Sequence, residues 1–226
     1  MEKNIYVFPF DDALDRPNIV YIKGDKESLL IDAGGGPKTY KYIMDEIKKN
    51  NLDYPTYVLL THYHWDHMFG IGYFSSIGIC SKYTNEMIEK HMKVNAKEIN
   101  ELIDDSLQPE FCLEHLLLEY DDLTSLKLRK CEMEVSDYTL DLGNRIINIY
   151  EVPSSHTEGS LIVFDNNSET LFIGDADYGY IVGKEFYDDA IKRNAFIECI
   201  RKIPCKYILL GHSYMRTKEE FLSEIE

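Results

Sequence analysis

A dense group of histidines directly follows an apolar run, and this feature most constrains the fold of the chain. The run TYVLLT, ending at Thr61, has the length and composition of a buried strand. The next six residues include His62, His64, Asp66 and His67. In an extended chain residues i and i+2 project to the same side, so His62 and His64 can reach one metal ion. Asp66 and His67 follow where a turn is expected, and they can face a second ion.

Three further candidate ligands lie beside predicted strand ends. His156 stands in the segment SSHTEG, Asp175 ends the run LFIGD, and His212 ends the run ILLGH. A single His-x-His is usually a coincidence of surface or strand, but seven candidates at strand ends are enough for two metals. Imidazole together with carboxylate suits zinc, and also iron or manganese. The other two histidines, His91 and His115, fall in a helical stretch and are expected to be solvated.

The remaining pattern predicts strands at both ends of the chain with helices between them. Apolar spacing and turn residues predict a hairpin over 18–32, a helix after Pro37, helices within 83–120, strands between 138 and 173, a helix near 196–203, a strand over 207–210 and a short terminal helix. This order favours an α/β sandwich over a purely parallel sheet. The stretch of about 83–130 is interpreted as a helical insertion that forms either a lid or the surface of a homodimer.

Composition excludes several classes of partner. The 226 residues include 24 Lys and Arg against 40 Asp and Glu, a net charge of −16. This acidity argues against nucleic acid and against an anionic membrane surface. The amino terminus has neither a signal peptide nor a membrane span, and the five cysteines are scattered without a C-x-x-C pair. Reduced thiols and a cytoplasmic location are therefore expected.

The histidine and aspartate pattern resembles that of the metallo-β-lactamase superfamily. The segment from His62 to His67 is similar to its H-x-H-x-D-H signature. The later candidates His156, Asp175 and His212 match, in order and context, its later histidine, its bridging aspartate and its final histidine. In the segment LLIDAG, Asp32 resembles an early aspartate that lies near the metals of the family without usually ligating them. The resemblance spans about residues 18–213.

This resemblance implies a fold and a metal centre. The expected fold is a four-layer αββα sandwich (α/β, of the α+β type), a single domain over 1–226 that carries the helical insertion. The family pattern implies that the first metal is held by His62, His64 and His156, and the second by Asp66, His67 and His212, with Asp175 bridging. Two divalent ions, zinc with iron or manganese as alternatives, would share a hydroxide that attacks a carbonyl or a phosphorus. Asp66 and Asp175 would be the catalytic carboxylates, and Asp66 would also orient the hydroxide or relay a proton.

Other positions bear on substrate binding and on the local loops. Tyr178 is expected to contact substrate or donate to an oxyanion, with packing at the sheet edge as the alternative. Tyr214 is expected to line the cleft. Ser154 and Ser155 stand where many family members have proline and glycine.

The leading functional hypothesis is hydrolysis of a small ester-like substrate, a thioester or a lactone. A β-lactam hydrolase or a phosphodiesterase remains an alternative within the same chemistry. An iron-dependent oxidoreductase of the same fold, such as a persulfide dioxygenase, uses a subset of these ligands. A non-catalytic binding domain is disfavoured because all seven candidate ligands are present.

Overall fold

One sheet is built from the first half of the chain. The computed structural model describes residues 3–93, 110–182 and 185–225. Sheet 1 contains six strands in the order of the chain: β1 (Ile5–Phe8), β2 (Ile19–Lys23), β3 (Ser28–Ile31), β4 (Tyr57–Leu59), β5 (Ile77–Cys80) and β6 (Met133–Glu134). The pairs from β1 to β3 are antiparallel, and those from β3 to β6 are parallel.

A second sheet is built from the later residues. The strands of this half are β7 (Tyr138–Asp141), β8 (Ile146–Val152), β9 (Ser160–Asp165), β10 (Thr170–Phe172), β11 (Tyr180–Val182), β12 (Glu185–Tyr187), β13 (Tyr207–Leu209) and β14 (Arg216–Thr217). Sheet 2 has the order β14-β13-β10-β9-β8-β7, and β11 and β12 form a separate hairpin. Among the described pairs of sheet 2, β10–β13 is parallel and the others are antiparallel. The connection from β10 to β13 contains the helix Ala190–Lys202, as is usual for the crossover between parallel strands.

The helices pack on the outer faces of the two sheets. They are α1 (Pro37–Lys49), α2 (Trp65–Met68), α3 (Lys82–Met92), α4 (Glu110–Glu119), α5 (Ala190–Lys202) and α6 (Lys218–Ile225). Short 3-10 turns cover Phe69–Tyr73 and Leu123–Ser125.

Strand alternation divides the buried side chains into three apolar cores. On β2, Val20 and Ile22 pack between the sheets, whereas Ile19 and Tyr21 face α1 and its neighbours. On β9, Leu161 and Val163 belong to the core between the sheets, while Ile162 and Phe164 pack with α5 and α6. Residues 19–22 of β2 and 161–164 of β9 are all apolar because both faces of these strands are covered. The layers run helix, sheet, sheet, helix, which confirms the predicted αββα sandwich.

The helical insertion is described only in part. Helices α3, which begins at Lys82, and α4 correspond to the predicted stretch of about 83–130, and the intervening residues 94–109 lie outside the described residues. The single-domain boundary of 1–226, the lid and the homodimer surface stay predictions. One expectation for this stretch was wrong. His91 is buried against Phe69, and its Nδ1 lies 2.7 Å from the carbonyl oxygen of Met87, so it is a packed residue of α3.

Two further observations bear on the sequence expectations. Among the helices of the described ranges, none is long and apolar enough to cross a bilayer. No two of the five cysteines, all of which lie in those ranges, are joined in a disulfide.

Candidate metal centre

The histidine-rich segment turns sharply after β4. His64, the residue before α2, has an extended backbone with φ −65° and ψ 149°. Its carbonyl oxygen accepts hydrogen bonds from the amides of His67 at 3.1 Å and Met68 at 3.0 Å. The extended stretch places the rings of His62 and His64 4.7 Å apart. The helical turn then carries Asp66 and His67 back beside them, as the spacing predicts.

The seven predicted ligands meet at one edge of the sandwich in two groups. Within each group the candidate ligand atoms lie within 4.8 Å of one another. The first group is formed by His62, His64 and His156, and the second by Asp66, His67, Asp175 and His212. Both groups take members from each sheet, because the chain crosses the same edge after β4, before β9, after β10 and after β13.

The second group converges on two carboxylate oxygens. Asp66 Oδ2 lies 3.0 Å from His212 Nε2 and 3.1 Å from His67 Nε2. Asp175 Oδ2 lies 3.3 Å from His67 Nε2 and 3.5 Å from His212 Nε2. The same Asp175 oxygen is 3.9 Å from Nε2 of His156 in the first group. Asp175 therefore stands between the groups, where the bridging role was predicted.

A glycine makes room for this carboxylate. A Cβ atom on Gly211 would lie 1.8 Å from Asp175 Oδ1, so any larger residue would displace Asp175 or the strand end beside it. The amide of Gly211 also donates to the carbonyl of Gly174 at 2.6 Å, which links the ends of β10 and β13.

Several histidines are oriented through their second ring nitrogen. His67 Nδ1 lies 2.8 Å from Asp32 Oδ2, and His156 Nδ1 lies 2.7 Å from the carbonyl oxygen of Gly179. Because a carbonyl oxygen can only accept, His156 donates through Nδ1, and its Nε2 carries a lone pair. His62 Nδ1 lies 3.1 Å from Thr61 Oγ1. Such contacts fix the tautomer and the ring orientation of a metal-binding histidine.

The arrangement fits metal ions on its own chemistry. Among the residues that the structure describes, no hydrogen-bond partner reaches the buried Nε2 atoms of His62 and His156 or Oδ1 of Asp175. Buried polar atoms without partners are costly, and these three donor atoms of the two groups fit a cationic ligand. The donor set of imidazoles and carboxylates suits zinc, iron or manganese.

The two groups differ in charge. Burial holds the pKa values of His62 and His64 well below their ordinary value, so the first group is neutral. Burial alone would also lower the pKa of His212, but Asp175 and Asp66 raise it to about 9. Burial similarly opposes a charge on His67, yet the surrounding carboxylates hold its pKa well above the ordinary value. Protons on these two imidazoles therefore balance the carboxylates of Asp66 and Asp175 in the second group.

Ser154 and Ser155, which precede His156, have structural roles in this loop. Ser155 does not adopt a positive φ, so the loop does not need a glycine at this position. Its Oγ accepts the amide of Asp189 at 2.6 Å, just before α5. Ser154 Oγ donates to the carbonyl of Ala176 at 3.1 Å and accepts the amide of His156 at 3.0 Å. The two hydroxyls thus tie the His156 loop to its neighbours.

The two tyrosines predicted to bind substrate lie at different depths. The ring of Tyr178 is 6.2 Å from that of His156, and burial raises the pKa of its hydroxyl, so it remains a donor at neutral pH. Tyr214 is 78% exposed and packs edge-on against Phe10, with ring centroids 5.1 Å apart. Tyr178 is thus at the site, whereas Tyr214 is at its outer edge.

Sequence reasoning missed Thr61 as a residue that orients His62, although its position directly before His62 was the available signal.

Comparisons with known proteins agree with this geometry. The chain is 24% identical over 217 residues to hydroxyacylglutathione hydrolase of Bdellovibrio bacteriovorus, a match covering 94% of this chain and 68% of that protein. It is 23% identical over 181 residues to acyl-coenzyme A thioesterase MBLAC2 of Gallus gallus, covering 75% of this chain and 60% of that protein. The chain thus spans about two thirds or less of the length of these relatives.

Similarity to solved structures extends over the whole fold. A metallo-beta-lactamase from Pontibacter korlensis superposes with a TM-score of 0.68 at 14% identity, covering 100% of this chain and 96% of that one. The profile of the metallo-beta-lactamase superfamily matches residues 13–212, which include every predicted ligand. The match covers most of the chain, and the protein therefore belongs to the metallo-β-lactamase superfamily.

Proposed function

We propose that the protein is a dinuclear metal-dependent hydrolase of a small thioester or lactone. The observation that carries this proposal is the pair of ligand groups that meet at Asp175. Its Oδ2 faces Nε2 of His67 in one group at 3.3 Å and Nε2 of His156 in the other at 3.9 Å. A metallo-hydrolase is the activity class of this superfamily that such a site fits best.

The ligand roles in the proposal follow the two groups. His62, His64 and His156 would hold one ion, and Asp66, His67 and His212 the other, with Asp175 shared. Two divalent ions, which we propose to be zinc, would supply a nucleophile at neutral pH and stabilise negative charge on the substrate.

Side chains of the protein would supply the proton-transfer and hydrogen-bonding groups for this reaction. Asp66 places a carboxylate oxygen beside both His67 and His212, where it can orient the attacking water or pass a proton to the leaving group. Tyr178 keeps its proton because its pKa is raised by burial, and its hydroxyl can donate to the substrate oxygen. Asp32 orients the imidazole of His67, and Thr61 orients the imidazole of His62. Neither residue needs to contact the substrate.

Thioesters are the first substrate class to test. The names of the two relatives describe a hydrolase of an acylglutathione and an acyl-coenzyme A thioesterase. Lactones present a similarly activated carbonyl to a metal centre and form the second class.

Metal analysis of protein purified without added metal, combined with a substrate panel, tests the proposal. We expect about two transition-metal ions per chain and hydrolysis of a thioester or a lactone in preference to phosphodiesters and β-lactams. A protein that binds no ion and gains no activity with zinc, manganese or iron would contradict it. A single iron together with oxygen consumption on persulfides would favour a dioxygenase.

The shared aspartate provides a variant test. Asp175→Ala should reduce the bound metal from about two ions to one or none, since both groups face this carboxylate. Asp177→Ala, in the same segment but outside both groups, should retain the metal content of the parent protein. Unchanged metal content in Asp175→Ala would refute the bridging role.

A further inference from the structure

Asn18 connects sheet 1 to the segment that carries His212 in sheet 2. It lies directly before β2 and is 7% exposed. Its side-chain amide donates to the carbonyl of Leu210 at 2.9 Å and to the carbonyl of Ser213 at 2.8 Å. Its backbone amide donates to the carbonyl of Gly211 at 2.7 Å. One residue therefore holds the backbone on both sides of His212.

The position of the His212 ring depends on the local backbone more than the ring positions of His62, His67 and His156 do. His62, His67 and His156 are each held by a contact at Nδ1. Within the described ranges no hydrogen bond reaches Nδ1 of His212, and its ring contacts the carboxylates through Nε2 alone. The position of its Nε2 is therefore set by the path of residues 210–213.

The chemistry of an asparagine side chain matches its three partners. The amide nitrogen has two hydrogens for the two carbonyls, and Oδ1 accepts the amide of Phe10 at 3.0 Å. A carboxylate at this position would repel both carbonyl oxygens, and an apolar side chain would leave them without donors. The amide thereby also anchors Phe10, whose ring packs on Tyr214 at the edge of the site.

We propose that Asn18 is a positioning residue that places His212 for metal binding by holding the carbonyls of Leu210 and Ser213. The proposal rests on the proposed function because it concerns the ion held by Asp66, His67 and His212. The first group lies beyond these hydrogen bonds and is unaffected. Asn18 itself touches neither metal nor substrate.

Stepwise metal affinities test this role directly. Chelator competition on the full-length holoprotein, with cobalt(II) as the probe followed by its visible absorption, reports both ions separately. We expect Asn18→Ala to bind one ion as the parent protein does and the other roughly 10–100-fold more weakly, as is typical when the support of a ligand is lost. Asn18→Asp keeps the volume and the acceptor but loses both donors, and it should show the same selective loss.

Asn85 provides a matched control. It is 2% exposed, and its side chain also makes three hydrogen bonds, to the carbonyl and the amide of Cys131 and to Glu134. These contacts join α3 to β6 and to the residue Cys131 before it, and none of them involves a member of either ligand group. Asn85→Ala should lower the melting temperature about as much as Asn18→Ala does, while both cobalt affinities remain those of the parent protein.

The outcomes separate this role from the proposed function. Parent affinities for both ions in Asn18→Ala and Asn18→Asp would overturn the positioning role. An equal loss of one ion in Asn85→Ala would also overturn it, since general destabilisation would then explain the effect. If the parent protein itself binds no metal, the proposed function fails, and that result is independent of any variant.

Discussion

At the scale of single residues, Asp32 determines which nitrogen of His67 faces the candidate metal centre. Its Oδ2 lies 2.8 Å from His67 Nδ1, and its Oδ1 accepts the amide of Thr61 at 2.8 Å. A carboxylate can only accept, so the proton stays on Nδ1 and Nε2 remains available for a metal. Asp32 also has a positive φ of 64°, a conformation that aspartate and asparagine tolerate better than most residues.

Asp32→Asn should therefore damage the site while leaving the local backbone in place. The amide can still accept from Thr61, but its other end presents N–H groups to His67 and drives the proton to Nε2. We expect the ion held by His67 to bind roughly 10–100-fold more weakly, measured by chelator competition. Asp165→Asn, at a buried aspartate that pairs with Arg145 far from the ligands, should lose stability without losing metal affinity. Equal metal affinity in Asp32→Asn and the parent protein would refute this role of Asp32.

The convergence of the candidate ligands could be predicted from the sequence, but most of the residues that orient them could not. His62, His64, Asp66 and His67 lie within six residues after one strand, so local spacing alone indicates that they converge. Asn18 contacts residues more than 190 positions away, and no local pattern marks such a pair. Only the register between the two sheets creates that contact.

At the scale of elements, α4 supplies the cap that α1 lacks. Gly36 precedes α1 and has no side chain to cap it. Glu119 at the end of α4 takes this role, since its Oε1 accepts the amide of Thr39 at 2.7 Å and its Oε2 accepts the Thr39 hydroxyl at 3.0 Å. A carboxylate at a helix amino terminus is favourable because it also faces the positive end of the helix dipole.

The burial of Glu119 leads to a dependence of stability on pH. Burial raises the pKa of its carboxyl above the ordinary value, and the hydrogen bonds from Thr39 only partly oppose this. The folded protein thus binds the proton more readily than the unfolded chain does. The stability that this preferential proton binding contributes is fully present at pH values below the pKa of Glu119 in the unfolded chain. It is lost as the pH rises through the higher pKa of Glu119 in the folded protein.

Glu119→Gln should remove this dependence. We expect the free energy of unfolding of the parent protein, relative to that of Glu119→Gln, to fall as the pH rises from the ordinary pKa of a glutamate through the raised pKa of Glu119 in the folded protein. Urea unfolding at several pH values measures the difference. Glu114→Gln, at an exposed position of the same helix, is the matched control and should follow the parent protein. A difference that grows with pH would contradict the assignment.

The elements that sequence analysis missed are short and weakly patterned. Strand β5 contains Gly78, which lowers its strand signal, yet a Cβ atom there would lie 3.0 Å from the Sγ of Cys131. Close packing therefore overrides the local preference. Helix α2 covers a single turn, too short for an apolar period to show.

At the scale of the whole molecule, metal binding should stabilise the entire sandwich because its ligands come from both sheets. An ion that binds only the folded protein adds about 2.7 kcal/mol when its free concentration is 100 times Kd. We therefore expect a chelator to lower the melting temperature, and zinc to restore it in a concentration-dependent way. Asp175→Ala should respond less to the chelator. A melting temperature independent of metal would show that the ions do not link the sheets.

His212 follows β13 and is the last of the seven candidate ligands along the chain, and this order has a consequence for synthesis on the ribosome. His62, His64 and His156 all leave the ribosome before it, and His212 follows His156 by 56 residues. At about 5–20 residues per second, the three-histidine group is complete several seconds before the second group. On the proposed function, all the residues that would hold the first ion are therefore synthesised before the last residue that would hold the second.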